Sequence, residues 1–254
     1  MKLHEKVALV TGSVRGLGWE MIQAFAQEGA NVTICDLSQS DVDGALARLG
    51  LPLEKVLGVK ADVTSEQDMI HLFRRVQEKF NRLDILVNNA GFAWPRSGPV
   101  DLEVAGTPLD VWLKVLNTNL TGTFLCSREA LKIMRPQGGG SIINISSPQG
   151  KKGKLLRGPY CAAKFGVEGL TQVLALENAN SNIKVNSLDP GGIVATEAIR
   201  KIPGNWGMRM LKPEIVRACA VYLASDESSG ITGHSFVAID WNRERGLEVP
   251  YTEA

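Results

Sequence analysis

Three residues in the second half of the chain have side chains suited to moving a proton to or from a bound substrate. Tyr160 and Lys164 are four residues apart within a helical pattern, and Ser147 lies at the end of a predicted strand. Residues four apart share one face of a helix, so both side chains can reach a common ligand. The set predicts acid–base chemistry on an alcohol or a carbonyl group.

Each of the three has its own predicted task. A free tyrosine has a pKa of about 10, so Tyr160 needs a nearby positive charge to act as a base near neutral pH, and Lys164 can supply it. The Ser147 hydroxyl can hydrogen-bond the substrate oxygen and orient it. The structural alternative is a tyrosine in an interface, an exposed lysine and a serine in a turn.

A glycine-rich segment near the start predicts a dinucleotide site. Thr11–Gly18 (TGSVRGLG) lies between a predicted strand and a predicted helix. Glycines allow a tight turn and a close approach to a pyrophosphate, whose charge is favoured at a helix N-terminus. A plain structural turn is the alternative, because such motifs give false positives. The predicted cofactor contacts in this segment are Gly12, Arg15, Gly16, Leu17 and Gly18.

The cofactor prediction depends on two charges. Asp36 ends the second predicted strand, 18 residues after Gly18, close to the ~20 typical of a carboxylate that binds a ribose 2′-hydroxyl. That carboxylate would repel the 2′-phosphate of NADP, which favours NAD. Arg15 argues for NADP, since a guanidinium can pair with the phosphate.

Short apolar runs alternate with helical patterns along the whole chain, without a linker or a repeat. We therefore predict a single α/β domain over residues 1–254, a Rossmann-type doubly wound parallel sheet of seven strands with helices on both faces. The predicted strands are Lys6–Val10, Asn31–Cys35, Lys55–Lys60, Asp84–Val87, Ser141–Ile145, Ile183–Leu188 and Ser235–Ile239. Helices are predicted from Leu17 to Ala26 and over Asp41–Leu49, Ser65–Phe80, Pro108–Met134 and Pro159–Ala179, and loops at Pro136–Gly140 and Pro203–Gly207.

The composition limits the partners. Lys and Arg total 28 and Asp and Glu 27, so no net field favours nucleic acid or an acidic membrane surface. No stretch approaches the ~18 apolar residues of a membrane span, and no export signal is visible. Four dispersed cysteines (Cys35, Cys126, Cys161 and Cys219) predict reduced core residues and no metal site, and we expect a cytoplasmic protein.

The glycine turn, Asn88–Gly91 (NNAG), Asn119 in NLTG, Ser147, the Tyr160–Lys164 pair and Pro190–Gly191 together resemble the short-chain dehydrogenase/reductase family, in order and over nearly the whole chain. The resemblance implies that Asn119 holds a water in a proton relay to Lys164, which also binds the nicotinamide ribose. It implies further cofactor contacts by Asp62, Val63, Asn89, Ile193 and Thr196. It also implies a homotetramer or homodimer formed through the two long helical stretches.

Some segments depart from the family. Asp240-Trp241-Asn242 stands where the family has Asp-Gly-Gly, and the polar residues from Trp241 onward are predicted to form a surface tail or an intersubunit contact. The lid segment Thr196–Lys212 is short, and it carries Trp206, Met208 and Met210. We predict Trp94, Trp112 and Trp206 to be core or interface residues.

The loop before Tyr160 is basic, and this suggests a substrate class. It contains Lys151, Lys152, Lys154 and Arg157 with no acidic residue, and Arg96 follows the NNAG segment. One hypothesis is an anionic substrate; the other is a solvated loop or a subunit contact.

Three functions remain open. The first is an NAD-dependent dehydrogenase of a small secondary alcohol, polyol, sugar or hydroxy acid. The second is an NADPH-dependent 3-oxoacyl reductase, and the third a non-catalytic cofactor-binding scaffold.

Overall fold

The structure, a computed structural model, describes residues 1–92, 102–200 and 209–253. Its strands are β1 Val7–Thr11, β2 Asn31–Asp36, β3 Val56–Lys60, β4 Ile85–Asn88, β5 Gly140–Ile145, β6 Ile183–Asp189 and β7 Ser235–Val237. Those strands form one sheet in the order β3-β2-β1-β4-β5-β6-β7, and every neighbouring pair is parallel. The predicted seven-stranded doubly wound sheet is confirmed.

Helices cross over between these strands and cover both faces of the sheet. In the described residues they are α1 Gly16–Gln27, α2 Gln39–Leu49, α3 Glu66–Phe80, α4 Leu109–Leu116, α5 Gly122–Gln137, α6 Gly158–Glu177, α7 Glu197–Arg200, α8 Arg217–Ala224 and α9 Ala238–Glu244. Ser38 and Ser65 cap α2 and α3 by accepting from the backbone amides of Asp41 and Asp68. Such caps satisfy amides that have no partner inside the helix.

The core lies in two apolar layers, one on each face of the sheet. Neighbouring residues of β1 belong to different layers: Val10 packs on the side of α1 and α8, and Leu9 packs on the side of α3 and α5. Successive side chains of a strand point to opposite faces, so a strand buried on both faces is apolar throughout. This is why the parallel strands appear in the sequence as continuous apolar runs.

The long helical stretch predicted over Pro108–Met134 is confirmed, with a π-helical turn at Asn117–Thr121 between α4 and α5. Its predicted end is wrong. Pro136, predicted in a loop, lies in the last turn of α5, which ends where Gly138 adopts a φ of 83°. A proline so close to a helix end removes few helical hydrogen bonds, and glycine adopts the left-handed cap without strain.

The C-terminal prediction also needs correction. Strand β7 ends at Val237, not Ile239, and α9 follows directly. Trp241 is predicted to begin either a surface tail or an intersubunit contact, and the surface tail is wrong. The side chain is buried, with its ring centre 5.5 Å from that of Tyr222 and the Arg245 guanidinium 4.1 Å from its own centre. Further on, the backbone amide of Lys212 donates to the Pro250 carbonyl at 2.8 Å. The end of the chain is therefore hydrogen-bonded to the segment that follows residue 208. The loop predicted at Pro203–Gly207 lies outside the described residues.

Two further properties concern the same described ranges. None of their helices is long and apolar enough to cross a membrane. They contain no group of three or more His, Cys, Asp or Glu side chains placed to hold a metal ion. All four cysteines are free, with Cys161 half-buried and the others buried.

Candidate active site

Polar residues, several of them predicted site residues, gather at the carboxyl edge of the sheet. Thr11 ends β1, Asp36 ends β2, Asn88 ends β4 and Asp189 ends β6, while Ser147 follows β5. Since all strands are parallel, these ends lie along one edge, where open α/β sheets bind ligands.

The turn after β1 can be formed only by glycine at several positions. Gly12 and Gly16 have φ of 62° and 58°, in the left-handed region that favours glycine. A Cβ on Gly18 would lie 2.5 Å from the Gly12 carbonyl oxygen and from Asn89 Nδ2. The backbone of the turn is therefore as closely folded as a pyrophosphate site requires.

Asn89 stabilises this turn. Its Nδ2 donates to the carbonyls of Thr11 at 2.8 Å and Gly12 at 2.9 Å, and its backbone amide donates to Thr11 Oγ1 at 3.0 Å. The resemblance implied that Asn89 lies along the cofactor. Its side-chain amide connects the end of β4 to the turn after β1.

The start of α1 meets the requirement for a nicotinamide dinucleotide. Arg15, at the N-cap position, makes no side-chain cap, and the first turn has no acidic residue, in contrast to the serine-capped α2 and α3. Amides left without a capping side chain, together with the helix dipole, favour the negative charge of a phosphate. Gly12, Gly16, Leu17 and Gly18 would hold the pyrophosphate of such a cofactor.

The two charges on which the sequence-based cofactor prediction depends, Asp36 and Arg15, have different surroundings. Asp36 is partly exposed, and its Oδ1 accepts from the Leu37 amide at 2.8 Å. The Arg15 guanidinium lies 3.7 Å from the carboxylates of both Asp41 and Glu197. Arg15 is therefore shared between two acidic side chains.

The remaining predicted cofactor contacts lie in segments that follow β3 and β6, at the same carboxyl edge of the sheet. Asp62 Oδ1 accepts from the amide and the hydroxyl of Thr64, and Val63 is buried against Gly122 at the start of α5. On the other side, Thr196 lies next to Gly16, and the Ile193 carbonyl accepts from the Leu211 amide at 2.9 Å. The glycine turn thus faces the segment that the resemblance assigned to the nicotinamide.

Tyr160 and Ser147 lie close together at the site. Ser147 precedes a short 3₁₀ turn, and its Oγ accepts from the Gln149 amide at 3.2 Å. Burial, with a smaller contribution from the Asp189 carboxylate, raises the pKa of Tyr160 to about 12, and the nearby Ser147 hydroxyl opposes this rise. The phenol is therefore protonated at neutral pH in the protein without a cofactor.

Lys164 lies beside Tyr160, yet its hydrogen bond goes elsewhere. Its Nζ is 5.6 Å from the centre of the Tyr160 ring and donates to the Ile145 carbonyl at 2.7 Å. Burial lowers the pKa of Lys164 to about 8, opposed by the carboxylates of Asp189 and Glu168. The structure brings the two side chains together but does not show the lowered tyrosine pKa that the sequence predicts.

Asn119 lies in the π-helical turn between α4 and α5. Its Nδ2 donates to the carbonyls of Phe92 and Val115, both at 3.0 Å. Its buried Oδ1 has no hydrogen-bond partner in the part of the chain that the structure describes. A buried acceptor of this kind is a suitable position for an ordered water.

The basic loop is exposed at the mouth of the site. Lys151, Lys152 and Lys154 are all exposed, and Lys151 is close enough to Asp189 to lower the pKa of that carboxyl, which burial raises. Trp112 is partly buried. Trp94, Arg96, Trp206 and Met208 lie outside the described residues.

Glu168 and Asp189 are two buried acidic residues that the sequence reasoning did not single out. A signal was available for each: Glu168 is one helical turn after Lys164, and Asp189 directly precedes Pro190.

A phenol, a hydroxyl and an ammonium beside a phosphate-binding turn place the chain among the oxidoreductases built on a dinucleotide-binding sheet. The short chain dehydrogenase family model matches residues 6–205. The chain therefore belongs to the short-chain dehydrogenase family, whose members bind a nicotinamide cofactor and act on alcohol or ketone groups.

Named relatives agree with this assignment. A cis-4-hydroxycyclohexanecarboxylate dehydrogenase from Sinomonas cyclohexanicum is 36% identical over 250 residues, covering 93% of this chain and 95% of that protein. A 3-oxoacyl acyl-carrier-protein reductase from Thermotoga maritima is 37% identical, covering 92% and 96%. A crystal structure of an actinorhodin polyketide ketoreductase variant with NADPH has a TM-score of 0.83 at 30% identity, covering 92% and 95%.

Proposed function

We propose that this protein is an NAD-dependent dehydrogenase of a small secondary alcohol that carries an anionic group, working reversibly with Tyr160 as its acid and base. The observation that carries the proposal is the grouping of three side chains: the Ser147 hydroxyl is close enough to Tyr160 to affect its pKa, and the Lys164 ammonium lies 5.6 Å from the centre of the Tyr160 ring. One substrate oxygen bound between the two hydroxyls can accept a hydrogen bond from both.

Each residue has a defined part in this proposal. The bound nicotinamide supplies the chemistry of hydride transfer. Ser147 donates to the substrate oxygen and orients it, and Tyr160 gives its phenolic proton to that oxygen during reduction or takes the proton back during oxidation. The Lys164 ammonium stabilises the negative charge that Tyr160 acquires on reduction. Asn119 would hold the water that returns a proton toward Lys164.

The charges at the adenosine end support NAD over NADP. Asp36 and Asp41 are both acidic, and Arg15 already lies between Asp41 and Glu197. A 2′-phosphate there would meet a carboxylate and would have to compete with two others for the guanidinium. The 2′-hydroxyl of NAD instead finds an acceptor in Asp36.

The substrate class rests on a different observation. The exposed Lys151, Lys152 and Lys154 provide positive charge next to Ser147 and Tyr160, which would concentrate and orient an anion. The relative from Sinomonas is named for a cyclic alcohol with a carboxylate. Hydroxycycloalkane carboxylates and related hydroxy acids are therefore the first substrates to test.

An NADPH-dependent 3-oxoacyl reductase is the second candidate. The name of the Thermotoga relative, the NADPH in the solved ketoreductase and the presence of Arg15 support it. An acyl-carrier substrate is itself acidic, so the basic loop suits this candidate as well.

Two further expectations belong to the same proposal. We expect a homotetramer or homodimer, because α4, α5 and α6 expose apolar side chains such as Leu109, Phe124 and Leu176. A cytoplasmic location fits the four free thiols.

The test is a spectrophotometric panel of alcohols, sugars, hydroxy acids and acyl thioesters, followed at the absorbance of reduced nicotinamide with both cofactors. The proposal expects the highest kcat/KM with NAD and a carboxylate-bearing secondary alcohol. The best turnover with NADPH and a 3-oxoacyl thioester would replace it by the second candidate.

A further inference from the structure

The face of α6 that carries Lys164 packs on polar side chains of the sheet. Asn144 of β5 is paired in register with Ser187 of β6. Asn144 Nδ2 donates to Thr171 Oγ1 of α6 at 2.8 Å, and Ser187 Oγ donates to Glu168 Oε2 at 2.8 Å. All of these side chains are buried. Buried polar groups that are fully hydrogen-bonded hold one arrangement rigidly.

Glu168 is the charged member of this group. Its Oε1 accepts from Ser235 Oγ at 3.1 Å, in addition to the bond from Ser187, and the two serine oxygens are 2.8 Å apart. The carboxylate thus connects α6 to the last two strands of the sheet. It is 9% exposed and lies behind the site, so it does not meet the substrate.

Glu168 follows Lys164 by one helical turn, on the same face. The turn after Ser147 holds this part of α6 in place: a Cβ on Gly150 would lie 3.0 Å from the Lys164 carbonyl oxygen and 3.2 Å from Glu168 Cγ. The charged and titratable groups around Lys164 are Tyr160 and Glu168 on α6 and Asp189 at the end of β6, with Lys151 opposite Asp189.

Burying an ammonium group is unfavourable unless negative charge compensates it. Asp189 supplies part of this compensation from the open edge of the sheet, where its Oδ1 accepts from the Gly191 amide at 2.8 Å. Glu168, itself buried, supplies charge from the side of β6 and the edge strand β7, where Ser187 and Ser235 hold its carboxylate.

We infer that Glu168 is a positioning residue for Lys164: its carboxylate, held by Ser187 and Ser235, keeps the lysine charged and so extends the range of pH over which the site works. This inference rests on the role of Lys164 in the proposed function. Glu168 acts only through Lys164 and takes no part in proton transfer.

The test is Glu168→Gln, which keeps the shape and removes the charge. In wild type, kcat/KM for ketone reduction should fall on the alkaline side as Lys164 loses its proton. Because Glu168→Gln removes a negative charge near Lys164, the fall in kcat/KM should occur at a pH about one unit lower than in wild type. The loss at pH 8 is then about fivefold, with nearly equal rates at pH 6.

Two comparison variants separate charge from structure. Glu168→Asp keeps a carboxylate, so kcat/KM should fall at nearly the same alkaline pH as in wild type. Glu177→Gln, on the exposed end of the same helix, should leave the pH of this fall unchanged. A uniform loss at every pH, with the limb in its original place, would overturn the inference.

A second readout does not depend on turnover. The ¹⁵Nζ resonance that disappears in Lys164→Met reports the titration of Lys164 directly, and its midpoint should fall in Glu168→Gln; an unchanged midpoint would overturn the inference. If Glu168→Gln does not fold, Glu168→Met removes the same charge with an unbranched side chain of similar length, and the Lys164 midpoint must fall in that variant for the inference to stand. Full activity of Lys164→Met would refute the role of Lys164 in the proposed function. The titration of Lys164 in wild type and in Glu168→Gln would remain a valid test of how Glu168 affects the lysine.

Discussion

The Lys164 ammonium lies 5.6 Å from the centre of the Tyr160 ring, and neither side chain donates to the other. Tyr160 lies close to the Ser147 hydroxyl, and Lys164 donates to the Ile145 carbonyl. In the protein without a cofactor, Tyr160 is therefore a protonated acid beside a separately held cation. The site in this state is ready to reduce a carbonyl group, whereas oxidation requires the phenol to lose its proton first.

Replacing Tyr160 by phenylalanine tests this acid directly. The ring and its packing remain, but the proton donor is lost, so we expect kcat to fall by about 10²–10⁴. The dissociation constant for NADH, measured by fluorescence, should stay within a few-fold of wild type. Tyr222→Phe is the matched control, because its ring packs against Trp241 away from the site. Full activity of Tyr160→Phe would remove the basis of the proposed chemistry.

The pH dependence of reduction follows from two pKa values. The phenol of Tyr160, with a pKa of about 12, stays protonated over the whole accessible range, and Lys164, with a pKa of about 8, is charged only below that value. We expect kcat/KM for reduction to be flat from pH 6 to 7 and to fall as the pH rises through 8. A profile that rises through pH 8 would mean that the deprotonated lysine is the active form.

The fold could be predicted because its signals are local. Each strand is a short apolar run between breakers, and the glycine turn and the Tyr160–Lys164 spacing are read within a few residues. The connection of Glu168 to Ser235 could not be predicted, since the two are 67 residues apart and meet only when β7 pairs with β6. Trp241 is a similar case, because its burial depends on Tyr222 of α8.

The exchange of Asp36 for alanine tests the cofactor preference. Removing the carboxylate takes away both an acceptor for the 2′-hydroxyl and the repulsion of a 2′-phosphate, so we expect the ratio of kcat/KM for NAD over NADP to fall by about tenfold or more. Asp43→Ala, an exposed aspartate of α2 whose Oδ1 accepts from Gln39, is the matched control. An unchanged ratio in Asp36→Ala would mean that Arg15 or the turn itself decides the preference.

A pair of glycine-to-alanine changes tests the turn. At Gly18 the new Cβ would lie 2.5 Å from the Gly12 carbonyl oxygen, whereas at Gly44 in α2 no heavy atom lies within 4 Å. We expect Gly18→Ala to weaken NAD binding on the order of tenfold, from strain of about 1–3 kcal/mol. Gly44→Ala should raise the free energy of unfolding by about 0.5–1 kcal/mol and leave binding unchanged. Equal cofactor affinity in the two variants would contradict a close-packed phosphate turn.

Charge reversal in the basic loop tests the substrate class. Lys151 and Lys154 are exposed, so their effect on an anion acts through solvent and is weakened by salt. We expect Lys151→Glu and Lys154→Glu each to raise KM for a hydroxycycloalkane carboxylate by about three- to tenfold at low ionic strength, with less effect at high salt and none on a neutral alcohol. Lys55→Glu, exposed just before β3 at the opposite edge of the sheet, makes the same change of net charge and should leave KM unaltered. If KM for every anionic substrate stays constant in both loop variants, the lysines serve only as a solvated surface or a contact between subunits, and the anionic group must be dropped from the proposed substrate.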